Sequence, residues 1–235
     1  MWAQLAEDAL PHAIVVDGVV AGHCTRDDDR QLRSFYLTDG LDLAASDVFA
    51  HLVASIGIVA ALPSTVDPVF LTLSLAIGGA ARPVGLMYAH VVEPTSPPAD
   101  MRLARDDEHR EIVTFDHEQT DSPFDFLEPY LAERIERGEL AVLLGDDGRI
   151  IATGECRTDT RSAGYAHLGL IVRRADRNQG VGRSVLSAMV GLARARGLRP
   201  LCSTEPSNLA ARHVIQRAGF RQRHSVLSVA MAAPG

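Results

Sequence analysis

The sequence predicts a mixed α/β (α+β) fold, and three observations support that prediction. Residues 101–235 alternate strand-like and helical patterns in the order β-α-α-β-β-β-α-β-α-β. A glycine-bearing turn joins one of these strands to the following helix. Residues 1–92 show a similar succession of strand, helix and strand. We therefore expect a mixed sheet flanked by helices and two domains, 1–92 and 101–235, joined by a proline-rich linker at 93–100.

In the second domain, capping residues and hydrophobic periodicity define each element. Pro123 suits the first position of a helix capped by Ser122, and Gly138 suits its end. The run Gly145-Asp-Asp-Gly148 between two apolar stretches indicates a hairpin. The predicted elements are strand 101–105, helices 106–119 and 122–138, strands 140–144, 149–157 and 166–172, helix 181–196, strand 200–204, a helix from 208 and strand 222–231.

The first domain has weaker signals, of which the clearest is a hairpin around Asp17-Gly18. The segment 69–77 is apolar, and its type is left open. The other predicted elements are strand 32–37, helix 42–55 and strands 57–62 and 84–91.

The turn from Arg177 to Gly182 lies between the apolar strand 167–172 and a helix. A helix N-terminus leaves backbone N–H groups without acceptors, and the helix dipole adds positive potential there. Glycine at positions 180 and 182 lets a ligand approach the backbone closely. The turn therefore predicts an anion site suited to a pyrophosphate. Its spacing matches neither a P-loop nor the G-x-G-x-x-G turn of dinucleotide-binding proteins.

Arg-x-x-Gly-x-Gly after a strand resembles the acyl-CoA pyrophosphate loop of the GNAT N-acetyltransferase superfamily. A second block resembles that family's next motif: a strand at Leu201, Asn208 opening a helix, and a closing Gly219-Phe220. The resemblance covers residues 101–231 and implies a centrally splayed sheet and acetyl-CoA as cosubstrate. The CoA-binding residues it implies are Leu170, Ile171, Val172, Arg177, Asn178, Gln179, Gly180, Val181, Gly182, Arg183, Ser184 and Asn208.

The resemblance also implies that a primary amine attacks acetyl-CoA directly in a ternary complex, with an oxyanion donor near Ile171 or Val172. The candidates for proton transfer and for the amine pocket are Glu155, His167, Ser203 and Glu205. Glu155 lies in an apolar strand where burial favours a base, although a structural ion pair with an arginine is the alternative. Many relatives have a tyrosine acid where this chain has Ile215. A non-catalytic acyl-CoA-binding or regulatory module and an O-acyltransferase therefore stay open.

The first domain repeats the element order of the second. Its residues 38–42 stand where a phosphate loop would be, and Asp39 and Asp42 would repel a pyrophosphate. We expect either a degenerate GNAT-like half-copy that binds no CoA or an unrelated small α/β cap.

Charge and composition narrow the class of partner. Residues 1–100 contain four arginines against twelve acidic residues, and the whole chain has a net charge of −7. An acidic protein favours a cationic amine, either a small molecule or a peptide N-terminus, over nucleic acid. No apolar run is long enough for a membrane span, no basic signal region is present, and the three cysteines lack metal-ligand spacing. We expect a cytoplasmic monomer or homodimer without a metal, and the absence of lysine suggests a GC-rich bacterial genome.

Overall fold

The structure is a computed structural model that describes residues 10–38, 44–93, 96–160 and 162–231. The chain forms two compact units. Within the described ranges, the first comprises residues 10–87, 203–207 and 223–231, and the second comprises residues 88–202 and 208–222. Neither unit is contiguous in sequence. The domain boundaries predicted from the sequence, 1–92 and 101–235, therefore stay a prediction, because the compact units have different boundaries.

Strands and helices follow the predicted order, which confirms the mixed α/β fold. Their bounds are β1 (Leu10–Val16), β2 (Val19–Arg26), β3 (Gln31–Leu37), α1 (Ala45–Ser55), β4 (Ala60–Ala61), α2 (Pro68–Ile77), β5 (Gly78–His90), β6 (Arg102–Leu103), α3 (His109–Thr120), α4 (Phe124–Glu136), β7 (Leu140–Leu144), β8 (Ile150–Thr158), β9 (Tyr165–Val172), α5 (Val181–Ala195), β10 (Arg199–Thr204), α6 (Leu209–Arg217) and β11 (Phe220–Met231).

The structure assigns a type to one segment that the sequence leaves open, and it changes other local predictions. The apolar segment of undecided type is the helix α2, because Asp67 caps it by accepting a 3.0 Å hydrogen bond from the Phe70 N–H. The predicted strand 57–62 shrinks to the two residues of β4, because the Ile58 N–H donates to the Val53 carbonyl at the end of α1. The N-cap of α4 is Pro123 rather than Ser122. Asp39 and Asp42 lie outside the described residues.

In the first unit, the strand order is β1-β2-β3-β4-β11-β5. The hairpin β1–β2 turns at Asp17 and Gly18, whose φ angles of 51° and 78° are those that a type I′ turn requires. β3 pairs in parallel with β4 at two positions, and β4 pairs antiparallel with β11. The core against α1 and α2 contains the edge-to-face rings of Phe35, Phe49 and Phe70.

In the second unit, the strand order is β6-β7-β8-β9-β10. β7, β8 and β9 are antiparallel, whereas β9 and β10 are parallel. The pairing of β9 with β10 covers only Tyr165 to His167, so the two strands diverge beyond that point. The expected splayed sheet is therefore confirmed, and the rest of β9 has an open edge among the described residues.

Helices cover both faces of the second sheet. Ile112 of α3 and Leu131 of α4 pack on Leu140 and Val142 of β7. α5 packs on the opposite face along its predicted apolar stripe, which includes Val185, Leu186, Met189, Val190 and Ala193. A Cβ at Gly154 of β8 would lie 2.9 Å from the Met189 sulfur, so a glycine is required where α5 approaches the sheet.

Candidate active site

The turn before α5 presents a row of free backbone donors. Asn178 and Gly180 have φ angles of 65° and 86°, so the backbone alternates its hand before the helix begins. Among the described residues, no protein group accepts a hydrogen bond from the backbone N–H groups of residues 178–182. The N–H groups of Arg183 and Ser184 return to the Gly180 carbonyl at 3.1 and 3.2 Å. A row of free amides at a helix N-terminus is an arrangement that favours binding of an anion.

The arginines around this turn have different roles. The Arg177 side chain donates to the Val172 carbonyl at 3.0 Å and to the Gln119 carbonyl at 3.1 Å, so it holds the turn against β9 and α3. Arg173 and Arg174 form ion pairs with Asp176 and Asp121. The buried Nε of Arg183 has no acceptor among the described residues. Because α5 has no acidic residue in its first turn, the potential there is positive.

The register of β9 decides which of its backbone groups face the open edge. Hydrogen bonds of 2.9 Å join the Arg173 N–H to the Ile151 carbonyl and the Asp159 N–H to the Tyr165 carbonyl. In an antiparallel ladder, every second residue bonds to the same neighbour. Ile171 therefore bonds to β8, whereas the N–H groups of Leu170 and Val172 point to the edge that β10 has left.

A polar cluster lies on the face of β8 and β9 that α3 and α4 cover. The Tyr130 hydroxyl donates to Glu155 Oε2 at 2.7 Å, and Arg157 Nε lies 3.2 Å from the same oxygen. The Glu155 side chain is 16% exposed and lies opposite Gly169 of β9. The alternative of an ion pair with an arginine is therefore present in the structure. The carboxylate nevertheless remains in reach of solvent and of a ligand.

Asp116 of α3 is a second carboxyl group close to Glu155. Its residue is 2% exposed, and its Oδ1 accepts a 3.1 Å hydrogen bond from the Thr153 hydroxyl. Burial, with a contribution from the charge of Glu155, raises the pKa of Asp116 to about 7. The same two causes raise the pKa of Tyr130 above its ordinary value. Tyr130 therefore stays a neutral donor to the Glu155 carboxylate.

The remaining predicted residues fall in several places. His167 is on the same face as Glu155, with its Nε2 3.0 Å from Asp159 Oδ2. Ser203 and Glu205 belong to a segment of the first unit, where Glu205 is exposed and faces the Ser207 hydroxyl. Asn208 caps α6 by accepting from the Ala211 N–H at 3.0 Å.

The three cysteines are buried free thiols. Burial raises the pKa of Cys156 to about 11 and raises the pKa of Cys202 as well. Among the described residues, no group of His, Cys, Asp or Glu side chains has the arrangement of a metal site, and no helix is long and apolar enough to cross a membrane.

Sequence reasoning missed the roles of Tyr130 and Asp116. Both lie on the buried stripes of their helices, where the pattern indicates core residues. Asp116 follows the buried Ile112 by four residues, which places a carboxyl group on the inner face of α3. That polar residue in an apolar stripe was the available signal.

An open strand edge beside a row of free helix amides is what a protein needs to bind a long pantetheine arm and its pyrophosphate. A family model described as the acetyltransferase (GNAT) family matches residues 103–220, half of the chain. The chain therefore belongs to the GNAT acetyltransferases, enzymes that use acetyl-CoA or CoA. A second model, described as an acetyltransferase (GNAT) domain, matches residues 1–91 and confirms the GNAT-like N-terminal copy.

Solved structures of GNAT proteins are similar to this chain. A GNAT acetyltransferase from Colwellia psychrerythraea has a TM-score of 0.93 at 29% identity, covering 99% of this chain and 89% of its own. A tandem GNAT protein from the clavulanic acid biosynthesis pathway has a TM-score of 0.65 at 14% identity, with coverages of 100% and 88%. A GCN5-related N-acetyltransferase from Sphaerobacter thermophilus has a TM-score of 0.65 at 19% identity, with coverages of 93% and 79%. The last two show the fold alone. No curated protein matches the sequence at a significant level.

Proposed function

We propose that the protein is an acetyl-CoA-dependent N-acetyltransferase that transfers the acetyl group to a primary amine by direct attack in a ternary complex. The observation that supports this most strongly is the continuity of the open β9 edge with the free N–H groups of residues 178–182. An extended pantetheine arm can pair with the strand edge, and the pyrophosphate can bind the helix amides. One segment of chain thus offers both halves of a CoA site.

The side chains around this segment fit such a ligand. A Cβ at Gly182 would lie 3.5 Å from Leu170 and 3.6 Å from Val172, so the start of α5 lies in contact distance of the side chains of β9. The unpaired Nε of Arg183 adds a charged donor beside the amides. Because the Ile171 N–H bonds to β8, we assign the oxyanion donor to Val172, with Leu170 as the next free N–H on the same edge.

Glu155 is the proposed base. The Tyr130 hydroxyl and Arg157 hold the carboxylate in one orientation, while its partial exposure lets an ammonium group reach it. The amine loses a proton to Glu155, its nitrogen attacks the thioester carbonyl, and the carbon–sulfur bond breaks. His167 is the rival base, and Ser203 and Glu205 stay candidates for the amine pocket. Ile215 is buried where many relatives have a tyrosine acid, so the thiolate leaves without that acid.

The test is release of CoA thiol from acetyl-CoA by the full chain across a panel of primary amines and matched alcohols, with the product identified by mass spectrometry. The expected result is thiol release that depends on an amine and yields its N-acetyl derivative. Equal thiol release without any acceptor, or transfer to the alcohols alone, contradicts the proposal.

A further inference from the structure

Glu155 and Arg157 form a pair of opposite charges on the covered face of β8. The two residues are two positions apart on one strand, so both side chains lie on the same face. Arg157 Nε is 3.2 Å from Glu155 Oε2, and the side chains are 15% and 16% exposed. The pair is therefore shielded from bulk water and still reachable by a small ligand.

The two members of the pair are unequally satisfied. Glu155 also accepts the hydrogen bond from the Tyr130 hydroxyl at 2.7 Å. The buried Nε of Arg157 has no hydrogen-bond acceptor among the described residues, although it lies 3.2 Å from Glu155 Oε2 as an ion pair. A guanidinium has five N–H donors in a planar fork, and the cost of leaving them unpaired rises with burial. Arg157 is thus a largely buried cation with donors available for an anion.

Gly169 leaves room beside this pair. It lies opposite Glu155 on β9, and a Cβ at Gly169 would stand 3.6 Å from Glu155 Oε2. A Cβ there would be in ordinary contact with the Glu155 side chain, and a longer side chain would fill the space next to the carboxylate. The next residue along β9 is Leu170, whose N–H faces the open edge of the proposed acetyl-CoA site. The free space, the acid and the cation therefore adjoin the proposed site of acetyl transfer.

We propose that the acceptor is a free α-amino acid, with its carboxylate bound by Arg157 and its amino group directed to Glu155. This assignment rests on the proposed N-acetyltransferase function and names its substrate class. An α-amino acid carries its ammonium and carboxylate on one carbon, which matches two opposite side-chain charges in contact. A guanidinium fork recognises a carboxylate with two parallel hydrogen bonds. A simple amine has no group for Arg157, and a peptide N-terminus has no carboxylate on that carbon.

In this placement, the acetyl group is transferred from the CoA sulfur to the amino nitrogen. The ammonium gives one proton to Glu155, and the neutral nitrogen bonds to the acetyl carbon. The carbon–sulfur bond breaks, and the second nitrogen proton leaves with the thiolate as CoA thiol. Glu155 then releases its proton to water. The products are an N-acetyl amino acid, CoA and one proton.

The test compares acceptors that differ only in the carboxylate, such as alanine with ethylamine and phenylalanine with phenethylamine. The full chain is assayed with acetyl-CoA, and kcat/KM is measured for each member of a pair. The expected preference for the amino acid is about 10²-fold or more, because the simple amine brings no carboxylate to the guanidinium N–H donors of Arg157. Equal values for both members, or a preference for a peptide over the free amino acid, overturn the assignment.

Variants of Arg157 test whether this residue causes the preference for the amino acid. Arg157→Gln should reduce the amino-acid-to-amine ratio by about 10²-fold, and Arg157→Lys, which keeps the charge and loses the fork, by about 10-fold. The matched control is Arg149→Gln, an exposed arginine of the same hairpin, which should keep the parent ratio. If Arg157→Gln does not fold, Arg157→Lys still decides the question. A ratio that survives in either folded variant overturns the assignment, whereas a chain that acetylates no amine at all refutes the proposed function instead.

Discussion

The two compact units share an order of strands and differ at the helix that follows the third strand of each. β1-β2-β3-α1-β4-α2 corresponds to β7-β8-β9-α5-β10-α6, and in both units the parallel pair is short and lies at the start of the third strand. α5 begins at Gly180 in the left-handed region without an acid in its first turn. α1 begins after Ala44 in the right-handed region and has Asp47 in its first turn. We therefore expect a phosphate site at the start of α5 and none at the start of α1.

The units also differ in what they bury. The buried charged residues of the described chain are Asp116, Arg134 and Glu139, and all three belong to the second unit. The buried polar residues described for the first unit are Ser74 and Thr204, which are neutral. Ionisable groups beneath helices suit proton transfer, and they make stability depend on pH. Chemistry and pH sensitivity should therefore both come from the second unit.

The largest effect on activity is expected from replacing Glu155, the proposed base of the second unit. Glu155→Gln keeps an acceptor for the Tyr130 hydroxyl and removes the proton acceptor, so kcat should fall by about 10²-fold or more. Acetyl-CoA affinity, measured by calorimetry, should not change. Asp47→Asn in the first unit is the control and should keep the parent rate. Near-normal turnover of Glu155→Gln would move the base to His167.

The phosphate site is tested by two variants at Gly180 that differ only in charge. Asn and Asp both tolerate a left-handed backbone, and nothing lies within 4 Å of a Cβ at this position. Gly180→Asp should weaken CoA binding by about 50-fold, and Gly180→Asn by less than about 5-fold, because only Asp repels the pyrophosphate. Calorimetry should give one CoA per chain for the parent. Equal weakening of CoA binding in both variants would show that charge repulsion at Gly180 is not the cause. Two CoA molecules per chain would show that the first unit also binds CoA.

Asp116 should make the stability of the second unit fall as pH rises. Its folded-state pKa of about 7 exceeds the ordinary 3.8, so the folded chain binds this proton more tightly. The stabilisation is complete below pH 4 and is lost as pH rises through 7. The free energy of unfolding of Asp116→Asn, relative to that of the parent, should therefore rise by about 2 kcal/mol between pH 4 and pH 8. This is about half of the value of a three-unit pKa shift, because the structure relaxes and hydrates the carboxylate.

Urea unfolding at pH 4 and pH 8 measures that difference. Glu118→Gln is the matched control, since Glu118 is exposed on the same helix and should show no such change. A constant difference between Asp116→Asn and the parent at both pH values would show that the carboxyl group ionises as easily in the folded chain as in water.

The smallest effect is expected from Tyr130→Phe. Removing the hydroxyl takes one hydrogen-bond donor from the Glu155 carboxylate, which is then held less firmly in its orientation. We expect kcat to fall by less than about 5-fold, with no change in acetyl-CoA affinity. Tyr165→Phe, at a tyrosine whose ring faces Arg199, is the control. A kcat for Tyr130→Phe equal to that of the control would separate Tyr130 from the base.

Local signals explain how much of this molecule the sequence predicts. The turn at Gly180, the apolar stripe of α5 and the Asn208 cap depend on residues within a few positions of each other, and all three are in the structure as expected. The partners of Glu155 are Tyr130 of α4 and Arg157 of its own strand. A half-buried tyrosine in an apolar helix stripe is predicted as a core residue, because the sequence does not show where its hydroxyl points. β4 shortens because the end of α1 uses the backbone that the pattern assigns to a strand. Pairings across long stretches of chain leave no local pattern to read.

The position of β11 in the first unit affects how the protein folds during its synthesis. Residues 223–231 lie between β4 and β5, with Val229 and Ala230 paired to Ala61 and Ala60. A ribosome makes the N-terminal strands first, at about 5–20 residues per second. The sheet of the first unit therefore closes only after β11 has been synthesised. Until β11 emerges, β4 lacks its partner on that side, so folding of residues 10–61 depends on strand residues made more than 150 positions later.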